Sequence, residues 1–302
     1  RPMEVIMSKK NTDEKILLMT DSACDIPDED LSAGGIVMLP IPIAIDGKGY
    51  LERVDFTIPE FYQRLAASKE LPVTSHILSI TYQQAYEDAY QQGYTHIINT
   101  TITSKGSNMF QAAVQAKKMF YEEHPEAKDT CQIFVLDSGT YTLGYGYPIL
   151  EASKLIRSGA AAQEIVAYLD DFYSCVEIYF AAYSLEYAKK SGRIPAACAF
   201  VGDVLGLRPI ISIIDGKTTV VEKVRGDKNV VPHIVAQALA HVPDKKAPYG
   251  VVYGAVESYR DEMLKEAGKK FGHGAKAVMQ VGAAITINSG PKVVGIVVRG
   301  AK

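Results

Sequence analysis

Short apolar runs alternate with polar junctions and amphipathic stretches through the first half of the chain. The runs at residues 15–20, 95–102 and 131–138 are continuous and of strand length, as expected for strands covered on both faces. Residues 107–124 follow the second run and place apolar side chains at near-helical spacing. Strands that alternate with helices in this way predict an open, largely parallel sheet with helices on both faces.

Prolines refine two of the predicted elements. The apolar run at residues 35–45 is interrupted by Pro40 and Pro42, which predicts an edge strand or an extended segment, because proline cannot donate a hydrogen bond to a neighbouring strand. Thr57 followed by Pro59 predicts the start of a helix, since proline is favoured in a helix's first turn.

The pattern changes near residue 172, where strand-rich segments replace the alternation of strands and helices. These segments are residues 177–184, 208–214, 218–224, 249–255 and 292–298. Asp215-Gly216 separates two of them and is a strong signal for a tight hairpin turn. The sequence therefore predicts an α/β protein of two domains. The N-terminal domain, over residues 15–172, has an open, mostly parallel sheet, and the C-terminal α+β domain, over residues 173–302, has a mainly antiparallel sheet.

Composition and charge narrow the functional classes. The 302 residues are 47% hydrophobic and carry a net charge of −3, so the basic footprint of a nucleic-acid-binding protein is missing. No apolar run approaches the ~18 residues of a membrane span. Residues 1–14 lack an apolar centre and are expected to be a tail, in which the residues before Met7 are additions to the natural chain. We therefore expect a cytoplasmic protein.

The cysteines are too far apart in sequence to predict a metal site. They are Cys24, Cys131, Cys175 and Cys198, without a C-x-x-C pair, and the six histidines are scattered. The simplest interpretation is a set of reduced, mostly buried thiols, as in cytosolic proteins. We predict neither a metal nor a cofactor.

Hydroxyl and carboxylate side chains follow three of the predicted strands. They are Asp21 and Ser22, then Ser104 to Asn108, then Asp137 and Ser138. The carboxyl ends of strands in an open α/β sheet lie at one edge, where ligands bind. A fourth pair, Thr74 and Ser75, precedes an amphipathic stretch. Lys105 is the one basic residue in these turns, so the donors suit a small, singly charged group such as a carboxylate. Taken one at a time, each junction is more simply a helix cap.

Sequence motifs for catalysis are missing. The chain has no G-x-S-x-G motif, and the stretch after Leu143 lacks the third glycine of a dinucleotide-binding loop. Residues 215–219 (DGKTT) lack the earlier glycine of a phosphate-binding loop. We therefore expect a binding protein rather than an enzyme. One alternative stays open, a small-molecule phosphotransferase or hydrolase that uses Asp21, Asp25 or Asp137.

Six segments, taken in order, resemble a known family. They are TDSACDIP at residues 20–27, PVTSHILS at 72–79, TTITSKGSNMFQAA at 100–113, VLDSGTYTLGYG at 135–146, the stretch at 184–226, and NSGPKVVGIV at 288–297. In this order they resemble the DegV family of bacterial fatty-acid-binding proteins. The resemblance runs from about Lys15 to the C-terminus.

The resemblance implies a carrier for one long-chain fatty acid, of the palmitate, stearate or oleate class, whose acyl chain lies in an apolar tunnel. The threonine of the family's T-S motif corresponds to Thr74, and the serine of its S-G-T-Y motif corresponds to Ser107. These two residues are the implied carboxylate donors, with Ser75, Asn108 and Asn288 beside them. The helix that begins near Asn108 would add backbone N–H groups and the positive end of its dipole.

In the better understood branch of the family, a separate soluble kinase phosphorylates the bound fatty acid to an acyl phosphate, which feeds membrane phospholipid synthesis. The arginines implicated in that encounter correspond to Arg193 and Arg225. The resemblance therefore implies a fatty acid kinase as partner, this chain as its non-catalytic subunit, and transient membrane contact. A lipid-responsive regulatory module is the second alternative.

The chain departs from the usual family pattern at several positions. TSHILS lacks the proline that commonly follows the T-S pair, Asn108 and Met109 replace the glycine and threonine of S-G-T-Y, and Ser191 replaces a glycine. Asn288 stands where kinase-linked members often carry a histidine, and an asparagine cannot titrate. These departures bear on which acyl chain the protein prefers and on whether a kinase acts on the bound fatty acid.

Overall fold

The computed structural model describes residues 13–201 and 205–301. The strands are β1 (Ile16–Asp21), β2 (Val37–Leu39), β3 (Pro42–Ile45), β4 (Lys48–Leu51), β5 (Val73–Thr74), β6 (His96–Thr101), β7 (Gln132–Asp137), β8 (Val176–Ala182), β9 (Leu207–Ile214), β10 (Lys217–Arg225), β11 (Tyr249–Tyr253), β12 (Ala277–Gln280) and β13 (Val293–Arg299). The helices are α1 (Asp28–Gly34), α2 (Ile58–Ala67), α3 (Ser79–Gln91), α4 (Met109–Glu123), α5 (Leu143–Arg157), α6 (Ala162–Tyr173), α7 (Glu186–Ser191), α8 (Pro195–Cys198), α9 (Val230–His241), α10 (Glu257–Phe271) and α11 (Ala283–Ser289).

The first sheet is parallel throughout, with strand order β2-β1-β6-β7. Its central strand β1 has five buried residues out of six, which matches its continuous apolar run. Helices follow β1, β6 and β7, so the predicted alternation of strands and helices is confirmed. Most of the predicted tail, residues 1–12, lies outside the described residues. Glu14 lies inside them and accepts a hydrogen bond from the N–H of Ala162 at 2.7 Å.

The second sheet has the order β10-β9-β8-β13-β11-β12 and is antiparallel except for the pair β11–β12. The predicted hairpin is confirmed, because Lys217 pairs with Ile214 across Asp215 and Gly216. Both turn residues have positive φ, 50° and 70°, as a two-residue hairpin turn of type I′ requires. The two-domain α/β architecture is thus confirmed, while the boundary at residue 172 stays a prediction.

A third, three-stranded antiparallel sheet, β4-β3-β5, was not predicted from the sequence. The run at residues 35–45 divides between two sheets: β2 is an edge strand of the first sheet, as predicted, but β3 is the central strand of the small one. Pro42 is accommodated because it is the first residue of β3. The predicted helix start is confirmed, since the Thr57 hydroxyl accepts from the N–H of Glu60 at the beginning of α2.

The two larger sheets meet through one face of the second sheet. Alternate residues of β8 point to opposite faces, because side chains in a strand have a period of two. Ile178 and Phe180 join the large core that includes the first sheet, while Tyr179 and Ala181 pack against α9 and α10 on the other side. Within the described residues, no helix is long and apolar enough to span a membrane.

Candidate functional site

A cavity of about 1200 Å³ lies where the two larger sheets and the small sheet meet. It exceeds the roughly 300–1,000 Å³ of ordinary small-molecule sites. Its aliphatic and aromatic lining comes from both halves of the chain: Ile41, Leu78, Ile102, Met109, Ile178, Phe180, Ile194, Ile213, Val252, Val281, Ala284, Ile285 and Val293. Such a lining suits a long apolar chain that is removed from water.

The second sheet forms one wall of the cavity. Ile178 and Phe180 of β8, Ile213 of β9 and Val252 of β11 lie on the same face, as strand alternation requires. Gly295 of β13 pairs with both Phe180 and Val252, and a Cβ there would lie 2.9 Å from the Cβ of Phe180. The missing side chain therefore lets these two neighbours pack closely across the wall.

Thr74 and Ser107, the two carboxylate donors that the family resemblance implies, both line this cavity. Thr74 is half-buried on β5, and its hydroxyl has no hydrogen-bond partner within the described ranges. The oxygen of Ser107 accepts from the N–H of Met109 at 3.3 Å, so its proton stays free to donate elsewhere. The 15-residue helix α4 begins at Met109, so its unpaired N–H groups and the positive end of its dipole lie at the same place. This arrangement can accept a carboxylate without a salt bridge.

The other predicted ligand residues divide into two groups. Ser75, Asn108, Asn288 and Ser104 line the cavity, and the Asn288 side-chain amide donates to the carbonyl of Ala284 at 3.0 Å. The three residues Ser22, Asp137 and Ser138 do not line it. Their side chains instead hydrogen-bond to Glu52, to the N–H groups of Ser104 and Gly139, and to the carbonyl of Thr140, respectively.

The two predicted arginines lie at different places. Arg193 lines the cavity, and its guanidinium donates to the carbonyl of Gly106 at 3.3 Å. Arg225 is exposed at the end of β10 and donates to the carbonyl of Leu205 at 3.1 Å, away from the cavity lining. Lys105 crosses from the first half of the chain to the hairpin and donates to the carbonyl of Asp215 at 2.6 Å.

Two buried carboxyl groups hold the helix α11, which forms part of the cavity wall. Asp25 accepts from the N–H of Gly282 at 2.9 Å, and Glu52 accepts from the N–H of Ala284 at 3.1 Å. Burial raises the pKa of Glu52 to about 7. Burial, and then the nearby charge of Glu52, raise the pKa of Asp25 well above its usual range.

A third carboxyl group, Asp21, supports the edge of the first sheet. It accepts from the N–H of Ile102 at 2.9 Å and from the hydroxyl of Tyr145 at 2.5 Å, and burial raises its pKa to about 6. Asp21 and Asp25 are almost fully buried, and protein groups donate to every one of their carboxyl oxygens. These contacts give both residues structural roles. Neither of them is accessible as the catalytic carboxylate of the phosphotransferase or hydrolase alternative.

The cysteines have mixed environments. Cys24 and Cys131 are buried, Cys175 is partly exposed and Cys198 is exposed, and all four are free thiols. The expectation of mostly buried thiols therefore holds for two of them. Within residues 13–201 and 205–301, no group of three or more His, Cys, Asp or Glu side chains could hold a metal ion.

A comparison with known protein families gives the family of this chain. The model of the DegV family, described as "Uncharacterised protein, DegV family", matches residues 15–300. The chain belongs to the DegV family. A DegV domain-containing protein of Caldanaerobacter subterraneus subsp. tengcongensis is 33% identical over 222 residues, which cover 74% of this chain and 76% of that protein.

Two solved structures share the fold. A stearic-acid-binding protein from Eubacterium ventriosum superposes with a TM-score of 0.85 at 25% identity, covering 93% of this chain and 97% of that one. A fatty-acid-binding DegV protein from Thermus thermophilus has a TM-score of 0.81 at 24% identity, covering 95% and 100%. The second likeness shows the fold alone.

The DegV motifs converge on the cavity, although they are far apart along the chain. Residues 72–79, 100–113, 135–146, 184–226 and 288–297 each contribute to its lining. The motif at 20–27 does not line the cavity but supports its wall. Asp25 accepts from the N–H of Gly282, and Ser22 donates to Glu52, which accepts from the N–H of Ala284. The search for polar junctions missed the second sheet's wall of the cavity and the side chain of Tyr141. The continuous apolar run at residues 178–183 was the available signal for a strand there, but it does not show which face lines a cavity.

Proposed function

We propose that this DegV protein binds one long-chain fatty acid, with the carboxylate at Thr74 and Ser107 and the acyl chain along the apolar wall of the cavity. One observation carries the proposal. A cavity of about 1200 Å³ combines an extensive aliphatic lining with two hydroxyl groups that have protons free to donate. The stearic-acid-binding relative from Eubacterium ventriosum supports the same class of ligand.

The binding free energy comes mainly from the acyl chain. Burying a chain of sixteen carbons, at about 0.8 kcal/mol for each methylene, contributes roughly 12 kcal/mol before the costs of association. The carboxylate head group therefore needs only hydrogen-bond donors in place of the water that it leaves. Two hydroxyls and the N-terminus of α4 meet this need, because a carboxylate only accepts hydrogen bonds.

The test is denaturing mass spectrometry of an organic extract of the purified protein. We expect about one fatty acid for each chain, and none in the extract of an unrelated protein purified from the same host. After delipidation, the protein should take up added palmitate or oleate. An empty extract together with no uptake of either acid would reject a fatty-acid carrier and reopen the search for another ligand.

We further propose that the protein presents its fatty acid to a separate soluble kinase as the non-catalytic partner. Arg225 is suited to such a contact because it is exposed and lies outside the cavity lining, and a guanidinium fork binds phosphate well. Arg193 lies at the cavity itself, where it could contact a phosphate formed on the head group.

The kinase proposal predicts a separation of two activities. With a soluble fatty acid kinase and ATP, Arg225→Ala should bind palmitate as the wild type does, but lower the rate of palmitoyl phosphate formation by about tenfold or more, as expected for loss of a charged contact. Arg157→Ala, which removes another exposed arginine, is the matched control. If the wild type binds palmitate and no kinase acts on it, a lipid-responsive regulator becomes the better interpretation.

A further inference from the structure

Tyr141 places a hydroxyl group in the cavity beside the head-group residues. It lies between β7 and α5, is half-buried and lines the cavity. Within residues 13–201 and 205–301, no group forms a hydrogen bond with this hydroxyl. A tyrosine hydroxyl in such a position usually finds a partner, so a ligand atom is the natural candidate.

The backbone after Tyr141 is held in an unusual conformation. Thr142 has a φ of 48°, which is rare for a residue other than glycine. Its side chain is buried, and its hydroxyl donates to Asp25 at 2.6 Å. Strained backbone of this kind persists only where surrounding contacts enforce it, and it is concentrated at functional sites. The contact with Asp25 thus fixes the turn that carries Tyr141.

Gly106 provides the space for the Tyr141 hydroxyl. A Cβ at Gly106 would collide with that hydroxyl and would lie 3.0 Å from two carbons of the Tyr141 ring. Gly106 directly precedes Ser107, the proposed carboxylate donor, and its carbonyl accepts from Arg193 at 3.3 Å. The Tyr141 hydroxyl, the Ser107 hydroxyl and the Arg193 guanidinium therefore gather around one residue.

Tyr141 is in the protonated form that a hydrogen-bond donor requires. Burial raises the pKa of its hydroxyl above the ordinary value, while the neighbouring Arg193 acts in the opposite direction. The hydroxyl therefore keeps its proton at neutral pH. A neutral hydroxyl donates one hydrogen bond, which matches the unpaired lone pairs of a bound carboxylate.

We propose that Tyr141 is a third head-group residue, which donates its hydroxyl proton to the carboxylate of the bound fatty acid beside Ser107. This inference rests on the proposed function and adds a residue that distinguishes an acid from an uncharged lipid of the same length. Gly106 is its structural partner, because only a residue without a side chain leaves room for the hydroxyl.

The test compares Tyr141→Phe with the wild type, using delipidated full-length protein and calorimetric titration of palmitate and of hexadecanol. The substitution keeps the ring and removes only the hydroxyl. We expect the Kd for palmitate to rise about tenfold or more, as for a hydrogen bond to a charged group, and the Kd for hexadecanol, whose neutral hydroxyl accepts a weaker hydrogen bond, to rise by only about threefold. Tyr168→Phe, which removes a tyrosine hydroxyl outside the cavity lining, should leave both values unchanged.

A double-mutant cycle with Gly106→Ala tests the geometry separately. The added Cβ should displace the Tyr141 hydroxyl and weaken palmitate binding in the wild type. It should cost less in the Tyr141→Phe background, since the colliding atom is gone. Thermal unfolding of each variant identifies any loss that comes from misfolding.

The outcomes separate this inference from the proposed function. If the wild type binds palmitate and Tyr141→Phe binds it equally well, the role of Tyr141 is rejected and the carrier function stands. Equal losses for palmitate and hexadecanol, or additive effects in the cycle, also reject the role. If the wild type binds no fatty acid, the proposed function fails and this inference fails with it.

Discussion

Ser107→Asp should abolish measurable binding of long-chain fatty acids. The new carboxylate would lie against the ligand's own carboxylate in a half-buried position. Two like charges about 4 Å apart repel by about 4 kcal/mol at an effective dielectric constant of about 20, which corresponds to a loss of roughly a thousandfold in affinity. Calorimetric titration of the delipidated variant with palmitate measures this loss.

Ser107→Asn is the matched control, because asparagine has nearly the size of aspartate and no charge. We expect it to weaken palmitate binding far less, by about tenfold, since it loses the serine hydroxyl but keeps a hydrogen-bond donor. Equal losses for the two variants would show that size, and not charge, is responsible. The head group would then have to lie elsewhere in the cavity.

The free energy of unfolding should fall as the pH rises from 5 to 8. Burial raises the pKa of Asp21 from 3.8 to about 6 and that of Glu52 from 4.5 to about 7. The folded protein therefore holds protons that the unfolded chain has released in this range, and stability falls with pH wherever the folded state binds more protons. The stability that these two protonated groups contribute is fully present below about pH 4. It is lost as the pH rises through about 6, where Asp21 ionises in the folded protein, and through about 7, where Glu52 does. Each group accounts for about 3 kcal/mol.

Urea unfolding at a series of pH values measures this dependence. Glu52→Gln is the informative variant, because glutamine resembles the neutral form of the side chain and cannot release a proton. Its stability should fall less steeply than that of the wild type between pH 5 and 8, because Glu52 no longer contributes to the slope while Asp21 and Asp25 still do. A wild-type stability that stays constant or rises across this range would show that the carboxyl groups are ionised in the folded state, through their hydrogen bonds to Ser22, Tyr145 and backbone N–H groups.

The buried carboxyl groups link folding to the proposed site. Asp25 accepts from the N–H of Gly282, directly before α11, and Glu52 accepts from the N–H of Ala284 in its first turn. A Cβ at Gly282 would lie 3.0 Å from an oxygen of Asp25 and 2.6 Å from an oxygen of Glu52. The helix that they hold carries Ala284, Ile285 and Asn288 on the cavity wall. A change in their protonation is therefore expected to alter the wall of the cavity as well as the stability of the protein.

The sequence by itself determined the local elements and the family. Apolar runs predicted β1, β6 and β7, Asp215-Gly216 predicted the hairpin, and Thr57 with Pro59 predicted the start of α2. These predictions succeeded because the information lies in neighbouring residues, whose side-chain period and allowed backbone angles decide the outcome. The order of the motifs along the chain was sufficient for the family, since that comparison needs no coordinates.

Only the tertiary structure decided which of the similar junctions share a site. Ser22 and Ser107 both follow strands, yet Ser22 is buried against Glu52, thirty positions away, while Ser107 lines the cavity. Thr74 reaches the same cavity from the two-residue strand β5, which is too short to leave a pattern. Tyr141 depends on Gly106 for its space. Contacts between residues distant along the chain decide these placements, because burial and hydrogen bonding depend on the packed neighbours of a side chain and not on its adjacent residues.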